Sequence, residues 1–237
     1  MKIVISHVTR MQKGFICVAG VDLATRQHVR PVLRSQMRKA LLARYGGPFD
    51  IGRIVDLGWT RYVGSRPETE DYLFHAGDAR VLGDMPAREF WALLQGFAKR
   101  KLGEIFGKDL LPCGLHCCAV DEGRGIASLG CFVPSDRPRL CFQRHDPSSR
   151  GRIRIGFTSG AYDFELAVTD IRLYGEDHVT PNPEAMQRAA YRLQTAPGVI
   201  LGVGLTRPFK GEADEPARHW LQVNNLHFED DPCWRLD

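Results

Sequence analysis

RIRIGFTSGAYDFELAVTD, residues 152–170, alternates apolar and polar side chains in two runs about a Ser159-Gly160 turn signal. Ile153, Ile155 and Phe157 share one side of the first run. Tyr162, Phe164, Leu166 and Val168 share one side of the second. Strict alternation of this length predicts two half-buried strands joined as a hairpin. With Ser159-Gly160 as a two-residue loop, Phe157 faces Tyr162, Ile155 faces Phe164 and Ile153 faces Leu166. The same register sets Arg154 opposite Glu165 on the outer face, a favourable cross-strand charge pair. A slip of one residue would turn one apolar set outward, so the pattern specifies its own pairing.

Outward from the hairpin the same β character continues. Before it stand LHCCAV, ASLGCFV and RLCFQRH. After it Asn182-Pro183 opens a helix, as cap and first-turn residue, with Met186, Ala189, Ala190 and Leu193 on one face. VILGVGLT and HWLQVNNLHF complete this half as two more strands. The first half has the same order of elements. Residues 2–10, 15–22 and 27–33 read as strands, with Pro31 at an edge or strand end. Ser35 caps an expected helix over 36–45, buried through Met37, Ala40, Leu41 and Tyr45 and stopped by Gly46-Gly47. Residues 51–63 return to β.

Between the halves, Phe90, Trp91, Leu94, Phe97, Ala98, Leu102, Ile105 and Phe106 recur at helical spacing. Gly96 and Gly103 weaken that helix, each by about 1 kcal/mol relative to Ala, so a break near Gly103 is expected. The predicted fold is therefore mainly β with some α. It comprises two five-stranded OB-like barrels, residues 1–65 and 112–237, joined by a loop and helical connector over 66–111. Barrels of this kind bind oligonucleotides or oligosaccharides through the face of their second and third strands.

Charge separates the halves more sharply than the net +4 of the 237-residue chain suggests. Residues 1–110 hold 18 Lys/Arg against 11 Asp/Glu, whereas the remainder holds 14 against 17. The most basic segment carries Arg26, Arg30, Arg34, Arg38, Lys39 and Arg44, with no acid between Thr25 and Tyr45. Such a segment suits a polyanionic partner. No apolar run reaches the length of a membrane span, and MKIVISHVTR is too short in apolar residues for a signal peptide. A cytoplasmic protein is expected, its seven cysteines thiols or metal ligands rather than disulfides.

Several short stretches carry a family resemblance. They are the opening VTR, the CVAG strand followed by VRPV, the segment ETEDYLF, the hairpin already quoted, and the closing LTRPF with HWLQVNNLHF. Over nearly its whole length the chain resembles the bacterial dual-OB domain proteins. That resemblance implies two OB-like barrels and a nucleic-acid-binding role, and it implies no catalytic residue.

The expected nucleic-acid site is Arg10, Lys13, Arg30, Arg34, Arg38 and Lys39, lining one groove of the first barrel, with Tyr62 as an aromatic platform. Phe15 and Trp59 are further platforms. DNA or RNA, single-stranded, is the expected partner. In the second half Arg137, Arg139, Arg144, Arg150 and Arg152 make a looser patch. The loop 210–218, with Glu212, Asp214 and Glu215, would repel phosphates. That half is then a surface for a protein partner or a second copy. Asn224, Asn225 and His227 are either base-reading groups or a bulge device. Cys113, His116, Cys131 and Cys141 are the one set that zinc could use, although the paired C-x-x-C spacing is missing. The remaining readings are an adaptor whose basic face meets an acidic protein, and a small enzyme. The enzyme would be a thiol enzyme of Cys117 or Cys118 with His116 or His145, or a phosphodiesterase with a metal at Glu68, Glu70 and Asp71. The acidic run reads more simply as a solvated loop. No catalytic residue and no cofactor is expected.

Overall fold

The computed structural model describes residues 1–113, 116–143, 151–160, 162–210 and 216–235. In the first half the strands are β1 (Lys2–Arg10), β2 (Phe15–Asp22), β3 (His28–Val32), β4 (Met37–Arg38), β5 (Arg53–Asp56), β6 (Thr60–Tyr62), β7 (Asp71–Phe74) and β8 (Arg80–Asp84). They pair in the order β6-β7-β3-β2-β1-β5-β8, with β4 continuing β3 along β2. β3 and β7 run parallel, and the other neighbours are antiparallel. Only Leu57, Gly58 and Trp59 separate β5, beside β1, from β6, beside β7. This short link brings the two arms of the sheet back toward each other, so the eight-stranded sheet curls into a half-barrel of the OB type. This sheet runs past residue 65, the expected end of the barrel, through β7 and β8 to Asp84.

The connector holds α1 (Ala87–Phe97) and α2 (Leu102–Phe106). The helical pattern breaks after Phe97, ahead of the expected Gly103. There the backbone leaves the helix to pair with the second half: Lys99 donates to Cys131 at 2.9 Å and accepts from Val133 at 2.9 Å. A ladder bond on each side of Lys99 outweighs continued helix.

The second half contains β9 (Leu111–Cys113), β10 (Cys117–Asp121), β11 (Leu129–Phe132), β12 (Arg139–Gln143), β13 (Arg152–Ser159), β14 (Tyr162–Ala167), α3 (Pro183–Thr195), β15 (Val199–Leu205) and β16 (Arg218–Phe228). β12-β13-β14 form a meander, β14 meets β16 in parallel at Val168 and Val223, and β16 pairs β15. β15 pairs β11, the run of chain that leads into β12. These strands form two sheets, β11-β15-β16-β10-β9 and β12-β13-β14, that meet at the Val168–Val223 bridge. α3 sits between the third and fourth strands, capped by the Asn182 carboxamide, which accepts the amides of Glu184 and Ala185 at 3.1 and 3.2 Å. Its buried face is Ala185, Ala189 and Leu193. Among the described residues no helix is long and apolar enough to cross a membrane.

Two local expectations need correction. The hairpin turns one residue later than its sequence suggests, so the pairing shifts by two. Ser159 faces Tyr162, Phe157 faces Phe164, Ile155 faces Leu166, and Arg154 faces Ala167. Gly160 takes the left-handed conformation, with φ 64°, which leaves Ser159 free to extend the strand. An even shift keeps every side chain on its face, and Arg154 still reaches Glu165 on the diagonal at 2.9 Å.

The helix over 36–45 does not form. Met37 extends to pair with Ile16, and two single 3-10 turns follow, Lys39–Leu41 and Ala43–Tyr45. Leu42 between them is extended and bridges to Phe49. Met37 and Leu42 reach the barrel core this way, whereas Ala40 and Tyr45 are exposed. Two buried side chains five positions apart suit this path better than one helix face.

Candidate nucleic-acid interface

β1 is buried from Ile3 to Thr9 on both faces, because one face fills its own barrel and the other meets the second barrel. Cys131, Ile171 and Ile200 of the second half are packed in the core of the first. Asn225 on β16 holds Val8 by two hydrogen bonds, 3.0 Å to its amide and 3.1 Å from its carbonyl. Asn224 is the extra residue of a bulge, where Gly202 pairs Asn225 and Val203 pairs Val223. Asn225 and His227 are likewise buried in this seam. His28 on β3 is covered by Phe97 of α1, ring centroids 5.1 Å apart. The strand-two and strand-three face by which OB barrels commonly bind is thus partly occupied here by the protein itself.

Arg30 belongs to the same seam. It is 4% exposed, and its Nε lies 2.5 Å from Asp71 on the parallel neighbour strand. Arg207, reaching across from the second barrel, pairs with Asp71 at 2.6 Å and with Glu68 at 3.1 Å. His219 lies 3.4 Å from Glu68. Glu70 accepts the Ser128 amide and hydroxyl, both at 2.8 Å, and burial nonetheless raises its pKa. The acidic run is therefore no solvated loop: Glu68, Glu70 and Asp71 are buried and clasp one barrel to the other.

Arg10 is also taken up between the halves. Its guanidinium carbon stands 4.3 Å from the Tyr174 ring centre, and Nη1 donates to the Val179 carbonyl at 3.4 Å.

The other expected cations behave differently. Lys13 stands exposed in a left-handed turn, φ 59°, just before β2. Arg34, Arg38 and Lys39 are exposed on the segment that replaces the expected helix, with Arg38 paired across from Phe15. Arg44 extends the row. Among the described residues no ion pair engages Lys13, Arg34, Arg38, Lys39 or Arg44.

Tyr45, expected inside, is 40% exposed and carries two of these cations: Lys39 Nζ lies 5.3 Å and Arg44 Cζ 4.9 Å from its ring centre. Arg44 also donates to Nε2 of the buried His178. Burial, with Arg44 and Lys39 beside it, lowers the pKa of His178 to about 4, so it is a neutral acceptor. Sequence reasoning missed Tyr45 and His178. The basic run Arg38, Lys39, Arg44 beside an aromatic was the available signal for Tyr45, and nothing local marked His178.

Tyr62 is exposed on β6, separated by β7 from the line of β3 and β4. It packs edge-on against Tyr72 at 5.3 Å, and nearby Trp59 stacks on His75 at 5.0 Å.

The cysteine set is dispersed. Cys113 pairs across from Cys117 between β9 and β10, while Cys131 is fully buried, its thiol pushed up to about 12 by burial. Burial also raises Cys117, and lifts Cys118 to about 12. Among the described residues no three His, Cys, Asp or Glu side chains are placed to hold a metal ion. His145, Arg144, Arg150 and the acids Glu212, Asp214 and Glu215 lie outside the described residues.

Comparison with known proteins agrees with the topology. No curated protein matches the chain. One solved structure, a murine DNA-binding protein bound to double-stranded DNA, aligns over 98% of this chain and 91% of its own. Its 8% identity and TM-score of 0.33 are too low to carry an argument. The profile of the dual OB-containing domain matches residues 1–226. With a curled β-sheet arrangement in each half and a match over almost the whole sequence, the chain belongs to the dual OB-containing domain family.

Proposed function

We propose that this protein binds single-stranded nucleic acid, DNA or RNA, without catalysing a reaction on it. The contact surface is Lys13, Arg34, Arg38, Lys39 and Arg44 at one end of the first barrel, with Tyr45 as its stacking platform. The observation that carries the reading is the state of these cations: exposed, four of them on one irregular segment and Lys13 in the turn before β2, and free of carboxylate partners among the described residues. Cations held in that state keep their full charge for phosphates. An aromatic ring among them stacks on bases of any sequence. The extended backbone and single turns of this segment fit a single strand better than the major groove of a duplex, which receives a helix or a two-stranded ribbon. Arg10 and Arg30 belong to the seam and are not part of this surface.

Fluorescence anisotropy of labelled single-stranded DNA and RNA, with a duplex alongside, tests the reading. Micromolar binding of the single strands at low salt is expected. Equal or tighter binding of the duplex would contradict it.

A further inference from the structure

Where the basic segment meets the second barrel the surface opens into a cavity of about 140 Å³. Its apolar wall comes from both barrels: Val8, Leu42 and Phe49 from the first, Ile171 and Tyr174 from the second. The Tyr174 ring is fixed, because its hydroxyl donates to the Val168 carbonyl at 2.7 Å and Arg10 covers it. Arginines line the cavity as well. Arg172 is spent on Asp170, at 2.7 Å, and on the carbonyls of Leu226 and Trp234. Arg235 is held by Asp50, the one acid in the lining, at 3.0 Å. Arg44 has no carboxylate among the described residues, and it is also the last cation of the proposed strand-binding row.

Size and chemistry together limit the occupant. Drug-sized ligands need upwards of about 300 Å³, so this cavity has room for one small ring system. The wall is apolar and partly aromatic, as a base face prefers. The rim carries the Arg44 guanidinium, which gives one nitrogen to His178 and keeps other donors that suit a phosphate.

We infer that this cavity between the barrels takes a single nucleotide, its base against Tyr174, Phe49 and Leu42 and its phosphate on Arg44. The inference rests on the reading of the basic segment as a nucleic-acid contact, which would deliver the end nucleotide of a bound strand to the cavity. Neither barrel forms the site alone, so the clasped seam has a use beyond stability.

The test is binding of adenosine and uridine monophosphate to the full chain by calorimetry, with inorganic phosphate and the free nucleosides as controls. A mononucleotide is expected to bind at least about tenfold more tightly than phosphate or nucleoside. Ala43→Trp, which fills the cavity, should weaken the mononucleotide by about tenfold or more while single-strand binding changes by less than about threefold. A photoreactive uridine monophosphate, used on the unaltered protein, should label the peptide holding Tyr174 or Phe49, a result that does not depend on the variant folding. Mononucleotide binding no better than phosphate, or labelling elsewhere, overturns the inference even where strands bind well. Mononucleotide binding that Ala43→Trp abolishes upholds it even where long strands fail to bind, and then the strand-binding reading is the one that falls.

Discussion

The side-chain carboxamide of Asn225 pairs with Val8 as a neighbouring strand would, accepting its amide at 3.0 Å and donating to its carbonyl at 3.1 Å. All of these groups are buried, and the two residues belong to different barrels. Asn225→Leu would leave a donor and an acceptor without partners. An unsatisfied buried polar group costs about 1–3 kcal/mol, so with two such groups a loss of roughly 2–6 kcal/mol is expected in urea unfolding. Asn225→Asp should also destabilise, because a carboxylate oxygen would face the Val8 carbonyl. Unchanged stability in both variants would remove the pair from the account.

Arg30 and Asp71 make a second inter-strand relationship, and here the two ends of the clasp differ. Removing Arg30 takes the partner from one oxygen of the buried Asp71 carboxylate while Arg207 still holds the other, and a hydrogen bond to a charged group is worth about 1.5–3 kcal/mol. Arg207 is half exposed, so Arg207→Ala should cost less, on the order of 1 kcal/mol, since water screens what remains. Thermal melts of Arg30→Leu and Arg207→Ala give the ordering directly. The reverse ordering would contradict the burial of the first pair. Loss of nucleic-acid binding in an Arg30 variant would report unfolding rather than a lost phosphate contact.

How far the sequence revealed this arrangement depends on the kind of information each residue carries. Strand faces were readable because alternation is local: Ile153, Ile155, Phe157, Phe164 and Leu166 all point inward as their pattern requires. The cap at Asn182 was readable for the same reason. Register was not, since the choice between two adjacent turns rests on the conformation of Gly160 alone. The segment 36–45 misled because its composition suits a helix, while the neighbouring strand offered Met37 a partner in Ile16. The candidate site divided along one line that sequence does not show. Arg34, Arg38 and Lys39 stayed outside. Arg10 and Arg30, equally basic in the sequence, were taken up because distant residues came to lie beside them, Thr169 and Tyr174 beside Arg10 and Asp71, 41 positions on, beside Arg30. Carboxylates in the segment ETEDYLF looked like solvent-facing charge for a similar reason: Glu68 and Asp71 find partners in LTRPF and HWLQVNNLHF, and Glu70 finds Ser128.

Acid should loosen the seam. Burial lowers His28 and His227 to about 4, and burial together with His28 and His227 holds His7 well below its ordinary value. Each is neutral in the folded chain at pH 7 and gains a proton on unfolding below about pH 6.5. The unfolded state then binds more protons, so stability falls as pH drops from about 6.5 towards 4, by up to about 1.4 kcal/mol per pH unit for each histidine. Melting temperatures across that range should decline more gently in His28→Asn. A flat profile in the unaltered protein would show that these rings are not buried neutral.

Tyr45 and Tyr62 are both exposed, yet only Tyr45 lies among the unpaired cations. Tyr45→Ala should cost about 1–3 kcal/mol of single-strand affinity with little change in melting temperature. Tyr62→Ala should leave the affinity nearly intact. Equal losses would extend the interface to β6 and its neighbour Trp59.

The most direct test of the account is the salt dependence of single-strand binding, measured for the unaltered chain and for Arg34→Glu/Arg38→Glu/Lys39→Glu. With four or five phosphate contacts the log–log slope should be roughly −3 in the unaltered protein, at about −0.7 per contact. The triple reversal should weaken low-salt binding by about 100-fold or more and bring the slope to roughly −1. Its melting temperature should not change, because none of the three side chains is buried. No detectable binding at low salt, or a triple variant with the affinity and slope of the unaltered chain, would contradict the claim that this end of the first barrel holds nucleic acid.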